Sequence, residues 1–555
     1  MEKTEPKIIE LDKQQLEALL DQIAATMGEE TAGPFRLLLG WYVSLLALIG
    51  RKNLTLRRLR RLLLGSGSER TRDVLPADDR SDDQQQPSGE SAGAGDGSHD
   101  VPASRSGGAR RPARGHGRTA AEAYTGCEQV VVKHPCFQAG DACPECADGT
   151  LYPLSASHVV RLKAQPPVGG SRYELERLRC GLCGNLQKAE LPEEAGAQKY
   201  DPTVASMIAT LRYGQGLPWK RIAQIQQSAG IPLPCSVQWE LVRDAAAGGP
   251  GTVYRQLHWE AAQGGLVHND DTSMRVQELT VKIQKGEAIH AHDPQRTGVF
   301  TTSILSLAEG RPTIALFFTG PRHSGENLRD LLAKRMADLP PPLQMCDALS
   351  RNLPRELETI VANCLCHGRR NFCEVAKAFP AEVRYVLECL KQVYQIDAKA
   401  KQDGLSPEER LRLHEQRSGP VMDRLYTWLQ QQFDQRKVEP NSSLGQAISY
   451  MLKHWEKLTL FLRVAGAPLD NNVAERALKL SIRHRKNSLS YKTMRGAEVG
   501  DLYMSLIHTC YFSAVDPFDY LTALQRNAER VSASPADWLP WNYRRQLTGP
   551  STAAA

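Results

Sequence analysis

The stretch GGLVHNDDTSMRVQEL, residues 264–279, carries a short apolar run that leads directly into two aspartates, Asp270 and Asp271. Two further runs of β-branched and aromatic residues follow it, RTGVFTTSILSLAEG (296–310) and PTIALFFTG (312–320). Glycine and proline bound both runs, so we predict that each forms a strand. The sequence therefore predicts a sheet in which the two aspartates lie where the first strand ends.

An amphipathic segment, HSGENLRDLLAKRMADL (323–339), predicts a helix, and PPLQMCDALS (341–350) predicts a further strand whose last residues include Asp347. Much later, GAPLDNNVAERALKLSIRHRKN (466–487) has the pattern of a helix that begins with good N-cap residues, Asp470, Asn471 and Asn472. Glu475 falls in its first turn, where the helix dipole favours a negative charge.

Cations follow Glu475 along the same predicted helix: Lys479 and Lys486 on its side, with Arg476, Arg483 and Arg485 flanking that stripe. A carboxylate among cations at helical spacing is typical of a solvated salt-bridge face, which is one interpretation of this helix. The upstream aspartates favour a second interpretation, a site for divalent cations.

Asp270, Asp347 and Glu475 are the ligands that we expect at such a site. Carboxylates at such a site can hold two divalent ions roughly 3.5–4 Å apart, which in phosphoryl transfer stabilise the entering and leaving oxygens as negative charge accumulates. Mg²⁺ or Mn²⁺ prefers hard oxygen ligands, and Mg²⁺ keeps several waters, so a few carboxylates suffice.

Eight short strings resemble, in the same order, the transposase of the insertion sequence 66 family: HNDDTSM, RTGVFTT, FFTGPRHSGENL, MCDALSRNLP, CLCHGRRNF, EPNSSLGQAISYMLKHW, LDNNVAERALK and RHRKNSL. The resemblance implies a DDE transposase with an RNase H-like catalytic domain, in which the three carboxylates meet at one end of a mixed sheet. The family often has Asp-Glu-Thr where this chain has Asp270-Asp271-Thr272, so Asp271 stays an alternative first ligand.

The implied function is DNA cleavage at element ends and transfer of the new 3′-hydroxyls into target DNA. Because both ends must be held together, the resemblance implies a homodimer or a larger synaptic assembly, with accessory proteins of the element as further partners. Two alternatives are a zinc-containing DNA-binding protein without catalysis and a plain RNase H-type nuclease. The expected DNA contacts are His367, Arg369, Arg370, Arg476, Arg485 and Lys486.

His367 closes the segment Cys364-Leu-Cys-His367, which resembles the C-x-x-H element that follows the second aspartate in several groups of DDE transposases. The resemblance places His367 near the active site, in contact with DNA. Three potential ligands within four helical residues cannot all face one ion, so we favour a DNA contact or a buried structural histidine over a metal site.

Two CxxC pairs, Cys143/Cys146 and Cys180/Cys183, predict a structural Zn²⁺ site. Four thiolates complete a tetrahedral zinc with bonds of about 2.3 Å. The pairs are about 33 residues apart, more than the roughly 15–20 of a compact ribbon, which a hairpin insertion accommodates. Four protein ligands leave no open position, so this ion would stabilise the fold.

Residues 200–246 have a helical pattern with breaks at Gly214–Pro218 and Gly230–Pro234. Three short helices suit a helix-turn-helix, whose last helix would enter the major groove. That helix would offer few DNA contacts, namely Gln238, Trp239 and Arg243, so a small helical packing unit is the alternative that we favour.

The complete prediction is a multidomain chain of mixed α/β class. In chain order we expect an N-terminal leucine-rich helical region (1–74), a disordered linker (75–120), a zinc-binding module (121–195), a helix-turn-helix-like segment (196–250), the first part of an RNase H-like domain (260–355), a helical insertion (356–462), the second part of that domain (463–530) and a tail (531–555). The linker is polar and rich in glycine and proline, which favours disorder.

Composition limits the remaining possibilities. The formal charge of the 555-residue chain is only +6, so local basic clusters must account for any DNA binding.

Thirteen cysteines without a signal peptide favour a reducing cytoplasm, with the protein associated with the nucleoid. The most apolar stretch, 35–50, runs about 13 residues before charges resume, whereas a bilayer span needs about 20, so we predict no membrane segment.

Overall fold

The computed structural model describes residues 167–175, 177–179, 186–188, 190, 192–193 and 198–548. The predicted N-terminal helical region, the linker and the four cysteines of the predicted zinc site lie outside the described residues. From the predicted zinc-binding module, the structure describes an antiparallel pair of short strands, β1 (Arg177–Arg179) and β2 (Leu186–Lys188).

The described chain is of mixed α/β class, with a five-stranded sheet and many helices. Within the described residues, four α-helices come before this sheet: α1 (Pro202–Ala209), α2 (Trp219–Ser228), α3 (Cys235–Ala247) and α4 (Gly249–Ala262). The strands and the two helices between them are β3 (Leu266–Ser273), α5 (Gln277–Gln284), β4 (Phe300–Leu307), β5 (Ile314–Gly320), α6 (Ser324–Leu332), β6 (Leu343–Cys346) and β7 (Ile360–Asn363). The predicted strands around 264–279, 296–310, 312–320 and 341–350 are confirmed.

The strands lie in the order β5-β4-β3-β6-β7. β4 is antiparallel to both of its neighbours, whereas β3, β6 and β7 are parallel to one another. His268 of β3 is in register with Met345 of β6. Asp270 and Asp347 each lie two residues further along, so the register brings both to the same edge of the sheet.

A layer of helices fills most of the interval between Asp347 and Glu475: α7 (Leu365–Val375), α8 (Pro380–Gln402), α9 (Pro407–Leu413), α10 (Gly419–Asp434), α11 (Ser443–Lys453) and α12 (Trp455–Leu458). It has its own buried core, which includes Phe372, Leu390, Leu429 and Met451. The predicted helical interval was wrong at its start, because residues 360–363 form β7 and extend the sheet beyond β6.

The chain then returns to the sheet through α13 (Asn472–Ser488), α14 (Met494–Phe512), α15 (Pro517–Arg526), α16 (Ala528–Ala533) and α17 (Tyr543–Thr548). As predicted, α14 packs against the sheet. Its side chains at successive turns, Asp501, Ser505 and Thr509, accept hydrogen bonds from alternate backbone N–H groups of β5: Thr319 (2.6 Å), Phe317 (2.9 Å) and Ala315 (3.1 Å). This helix therefore satisfies the donors of an edge strand that would otherwise be left unpaired.

The three helices predicted between 200 and 246 are present, and they belong to the main core. Gln238 of α3 is buried and donates to the backbone carbonyls of Leu233 (2.8 Å) and Trp219 (3.3 Å). The Tyr503 hydroxyl of α14 donates to the carbonyl of Val242 (2.9 Å). The buried amide of Gln238 cannot read a base, so the structure favours the packing unit over DNA recognition by this helix.

The C-terminal segment also packs on the core. Trp538 is only 1% exposed, and its backbone carbonyl accepts a hydrogen bond of 2.7 Å from the Tyr520 hydroxyl. Among the residues that the structure describes, no helix combines the length and the apolar character that crossing a membrane requires.

Candidate functional site

The structure places Asp347 and Glu475 near Asp270, although the three residues are distant in the sequence. Asp270 lies on β3, Asp347 directly follows β6, and Glu475 lies in the first turn of α13. All three carboxylates are partly buried. Burial, together with the negative charges of Asp347, Asp271 and Glu475, raises the pKa of Asp270 to about 7. Asp347, Asp271 and Glu475 therefore lie close enough to Asp270 to repel its charge, although the ligand atoms of Asp270, Asp347 and Glu475 do not all lie within 4.8 Å of one another.

Asp271 faces the opposite side of β3, as side chains of neighbouring residues in a strand must. Its carboxylate is 2% exposed, with Oδ2 lying 3.2 Å from Nδ1 of His323 and Oδ1 lying 3.3 Å from Nη2 of Arg351. The backbone N–H of Ser324 also donates to Oδ2, at 3.5 Å. Asp271 thus anchors the start of α6, and the geometry favours Asp270 as the carboxylate that faces Asp347 and Glu475.

A buried asparagine fixes the start of α13, and hence Glu475, against β3. Asn471 is fully buried, and its Nδ2 donates to the backbone carbonyl of Asn269 (3.1 Å). Because Nδ2 is the donor there, Oδ1 accepts from Nδ1 of His268 (3.0 Å). Asn471 is the N-cap residue of α13, one of the three predicted candidates, but its side chain binds β3 and makes no capping hydrogen bond.

Asp347 is held by a second group of buried amides. Asn352 donates from Nδ2 to Oδ1 of Asp347, and the backbone N–H of Leu349 donates to the same oxygen at 3.3 Å. The carbonyl of Asn352 in turn accepts from Nε2 of Gln344 (2.7 Å) and from Nδ2 of Asn269 (2.9 Å). Sequence reasoning missed this network, which links β3, β6 and the loop after Asp347.

The donor set fits a divalent cation of the Mg²⁺ type. Three carboxylates supply hard oxygen ligands, the kind that Mg²⁺ and Mn²⁺ bind. Oε1 of Glu475 is buried and has no hydrogen-bond partner, and the mutual repulsion at Asp270 is the electrostatic condition that a bound cation would relieve. These three residues would hold the ion.

A family model described as the transposase IS66 family matches residues 198–499, more than half of the chain. The chain belongs to the IS66 transposase family. The matched region includes all three carboxylates, the helical layer and part of α14. Membership of this family confirms the resemblance that the eight sequence strings indicate.

Three curated relatives of this IS66-family chain come from Sinorhizobium fredii (strain NBRC 101917 / NGR234), and each is described as uncharacterized. The protein y4hP is 26% identical over 445 residues, which cover 75% of either chain. The protein y4jD is 32% identical over 197 residues, 34% of this chain and 37% of that protein. The protein y4qI is 28% identical over 197 residues, 35% of this chain and 36% of that protein.

Two of the predicted DNA contacts of this IS66-family chain lie beside Glu475. His367 places Nε2 at 3.8 Å from Oε1 of Glu475, and Arg370 places Nη2 at 3.8 Å from Oε2. Arg369, on the same helix, instead lines a surface pocket together with Leu387 and Lys391 of α8.

The remaining predicted contacts lie on α13. Arg485 is bound to the end of β3, where its Nη1 donates to Oγ1 of Thr272 (3.2 Å) and to Oγ of Ser273 (2.8 Å), so its guanidinium braces the strand that carries Asp270. Four other cations follow along α13 at spacings of three, four and three residues, and each is at least partly exposed: Arg476, Lys479, Arg483 and Lys486. We name these four residues the α13 basic stripe. Lys479 and Arg483 were expected on this helix but not among the DNA contacts.

Proposed function

We propose that this IS66-family chain is a DDE transposase that cleaves DNA at element ends and transfers the resulting 3′-hydroxyls into target DNA, with Mg²⁺ or Mn²⁺ as cofactor. The observation that carries the proposal is the β3–β6 register, which places Asp270 and Asp347 at one edge of the sheet, with Glu475 near enough to act on the charge of Asp270. The sheet, in which β4 is antiparallel to both neighbours and β3, β6 and β7 are parallel, supports an RNase H-like catalytic fold.

The reaction consists of two displacements at phosphorus. In cleavage, a water oxygen bonds to the scissile phosphorus while the bond to the 3′ oxygen breaks, and that oxygen leaves as a 3′-hydroxyl. In transfer, this hydroxyl bonds to a target phosphorus and displaces a 3′ oxygen of the target strand. Divalent ions bound by the carboxylates supply Lewis-acid stabilisation of the entering and leaving oxygens. The protein positions the carboxylates through Asn471, Asn352 and Arg485.

The α13 basic stripe supports DNA as the substrate. It begins one residue after Glu475, and the opposite face of the helix is buried against the sheet through residues such as Ala477 and Leu480. Lys and Arg side chains in such an arrangement neutralise phosphates without reading sequence. His367 and Arg370, beside Glu475, are proposed to contact the scissile strand.

Two element ends must be held together for transfer, so the proposal includes a dimer or a larger synaptic assembly, to which accessory proteins of the element would add. The proposal also keeps Cys143, Cys146, Cys180 and Cys183 as a structural Zn²⁺ site.

The test uses the full chain, a labelled duplex that carries the terminal repeat of the element, and Mg²⁺. The parent is expected to cleave the duplex and join its 3′ end to target DNA, whereas Glu475→Gln, which keeps the shape and removes the charge, should lower the rate by about a hundredfold or more. Glu529→Gln, at an exposed position of α16, is the matched control and should behave as the parent.

Three outcomes separate the candidate functions. Cleavage with joining supports the transposase. Cleavage without joining would instead indicate an RNase H-type nuclease, and DNA binding without cleavage would indicate a DNA-binding protein that has lost catalysis. A Glu475→Gln variant that joins DNA at the parental rate would overturn the proposed active site.

A further inference from the structure

A second group of metal-ligating side chains adjoins the carboxylate site. Sγ of Cys364, a ring nitrogen of His367 and a carboxylate oxygen of Glu475 all lie within 4.8 Å of one another. Cys364 and His367 are three residues apart at the start of α7, which is a spacing that brings both side chains to one face of a helical turn. Glu475 reaches them from α13. We name these three residues the Cys-His-Glu cluster.

The third ligand differs from the one that the sequence offers. Cys366 lies within the same short segment, but its Sγ is 3.0 Å from the Tyr394 hydroxyl and 3.6 Å from Nδ2 of Asn472. We predicted that Cys364, Cys366 and His367 cannot all face one ion. The structure agrees, since Cys366 is bound to Tyr394 and Asn472 instead. A residue more than a hundred positions away, Glu475, completes the set instead.

A bound metal ion would give the Cys-His-Glu cluster a bonding partner that it lacks. Oε1 of Glu475, which lies 3.8 Å from Nε2 of His367, is buried and lacks a hydrogen-bond partner. Buried polar atoms in folded proteins are nearly always paired, because leaving them unpaired costs free energy. Cys364 is fully buried, and its Sγ accepts a hydrogen bond of 3.2 Å from the backbone N–H of Asn471. The contact with Cys366 and burial raise the pKa of this thiol, so a metal ion that binds Cys364 would have to displace its proton.

We propose that the Cys-His-Glu cluster binds a thiophilic divalent ion, with Zn²⁺ as the first candidate, and that this ion competes with Mg²⁺ for Glu475. Thiolate and imidazole select Zn²⁺ over Mg²⁺, which prefers oxygen ligands alone. Tetrahedral zinc places its ligand atoms about 3.3–3.8 Å apart, a separation that Nε2 of His367 and Oε1 of Glu475 already have at 3.8 Å. Three protein ligands leave the fourth position open.

The consequence for activity rests on the proposed function, whereas metal binding by the cluster does not. A Zn²⁺ ion that holds Glu475 withdraws one of the three carboxylates from the Mg²⁺ site. Zn²⁺ then acts as an inhibitor of the Mg²⁺-dependent reaction, and Glu475 is the residue through which the two ions exclude each other.

The test measures Co²⁺ binding to the full metal-free chain, because the absorption that a thiolate gives to bound Co²⁺ reports cysteine ligation directly. Every variant keeps the four CxxC cysteines, which we also expect to bind Co²⁺. The quantity compared between variants is therefore the number of Co²⁺ ions bound per chain. Cys364→Ala and His367→Asn should each bind one equivalent fewer than the parent, or bind it about tenfold or more weakly. Cys389→Ala, which removes a buried thiol from the core of the helical layer, is the matched control and should equal the parent.

Asp347→Asn separates this proposal from the proposed function. It should keep the parental Co²⁺ stoichiometry while losing Mg²⁺-dependent cleavage, because Asp347 lies outside the Cys-His-Glu cluster. In cleavage reactions, added Zn²⁺ should lower the parental rate about tenfold by mass action, and the ratio of the rates with and without Zn²⁺ should return towards one in Cys364→Ala.

Equal Co²⁺ stoichiometry, affinity and thiolate absorption in the parent, Cys364→Ala and His367→Asn would overturn the site. If circular dichroism shows that Cys364→Ala does not fold, His367→Asn decides, because that side chain is only partly buried. A chain that binds the extra Co²⁺ equivalent but never cleaves DNA would contradict the proposed function and leave the metal site standing.

Discussion

The side-chain amide of Asn471 donates a hydrogen bond of 3.1 Å to the backbone carbonyl of Asn269, and this contact joins the start of α13 to β3 one residue before Asp270. Asn471 is fully buried, so water does not compete for the contact. This amide therefore helps to fix the position of Glu475, four residues after Asn471, relative to Asp270, together with the contacts of Arg485 to the end of β3. A polar residue without any contact to substrate would thus set the geometry of the cation site.

Replacing Asn471 with Ala should impair both stability and catalysis. The variant leaves Nδ1 of His268 and the carbonyl of Asn269 buried without partners, which costs about 1–3 kcal/mol in the free energy of unfolding. The cleavage rate of the folded fraction should also fall, because Glu475 is no longer held at a fixed distance from Asp270. Denaturant unfolding and single-turnover cleavage measure the two effects. Asn441→Ala, at an exposed position, should change neither, and parental cleavage by Asn471→Ala would contradict the positioning role.

The neighbouring aspartates of β3 should give opposite results when each is changed to Asn. Asp270→Asn should abolish cleavage without lowering the melting temperature at pH 8, because it removes a buried charge that Asp347 and Glu475 repel. Asp271→Asn should lower the melting temperature, since His323 and Arg351 lose their carboxylate partner. Loss of cleavage in Asp271→Asn at an unchanged melting temperature, with cleavage retained in Asp270→Asn, would show that the first ligand is Asp271.

The α13 basic stripe should control the salt dependence of DNA binding. The double variant Lys479→Ala/Lys486→Ala should bind duplex DNA more weakly, and the slope of log K against log salt should decrease in magnitude by about 0.9 for each phosphate that is no longer neutralised. Both side chains are at least partly exposed, so the free energy of unfolding should stay the same. Fluorescence anisotropy over a salt series measures the slope. Lys391→Ala/Lys437→Ala, two exposed positions of the helical layer, controls for the change in net charge, and an equal change in its slope would refute a specific role for the stripe.

Asp501 should make the stability of the fold depend on pH. Burial raises its pKa to about 7, against hydrogen bonds from Thr319 that act in the opposite direction. Because the folded-state pKa lies above the unfolded-state value, the folded state binds the proton more tightly, and this group destabilises the fold as pH rises from about 4 to about 7. The effect is at most roughly 4 kcal/mol.

Asp501→Asn removes that titration, and Asn can still accept from the backbone N–H of Thr319 and donate to its hydroxyl. The difference in melting temperature between the variant and the parent should therefore grow in favour of the variant between pH 4 and pH 8. Asp537→Asn, at an exposed position, should follow the parental profile. Parallel profiles for the parent and Asp501→Asn would show that Asp501 does not titrate in this range.

Much of the sheet was predictable, because its strands are β-branched runs with clear boundaries. β7 was not, since Ile360–Asn363 is only four residues long and lies within sequence that favours helices. The choice between Asp270 and Asp271 was also open. Their side chains point to opposite faces of β3, and the sequence does not say which of the two faces holds the site. The structure separates them through their different partners.

The supporting polar network could not be predicted either. Asn269, Gln344, Asn352 and Asn471 are buried, although such residues usually lie in loops or on the surface. Their partners are mostly distant in the sequence, so nothing local indicates that they are buried. Arg485 shows the same limitation, since its charge favours a phosphate contact while its position binds it to Ser273.

The most direct measurement of the central claim is anomalous diffraction from a crystal of the full chain soaked in Mn²⁺. We expect an anomalous peak bonded to carboxylate oxygens of Asp270 and Asp347, with Glu475 as a further ligand of the same or an adjacent ion at about 2–2.2 Å. A well-ordered crystal with Mn²⁺ bound elsewhere, and no peak among these three carboxylates, would contradict the proposed active site.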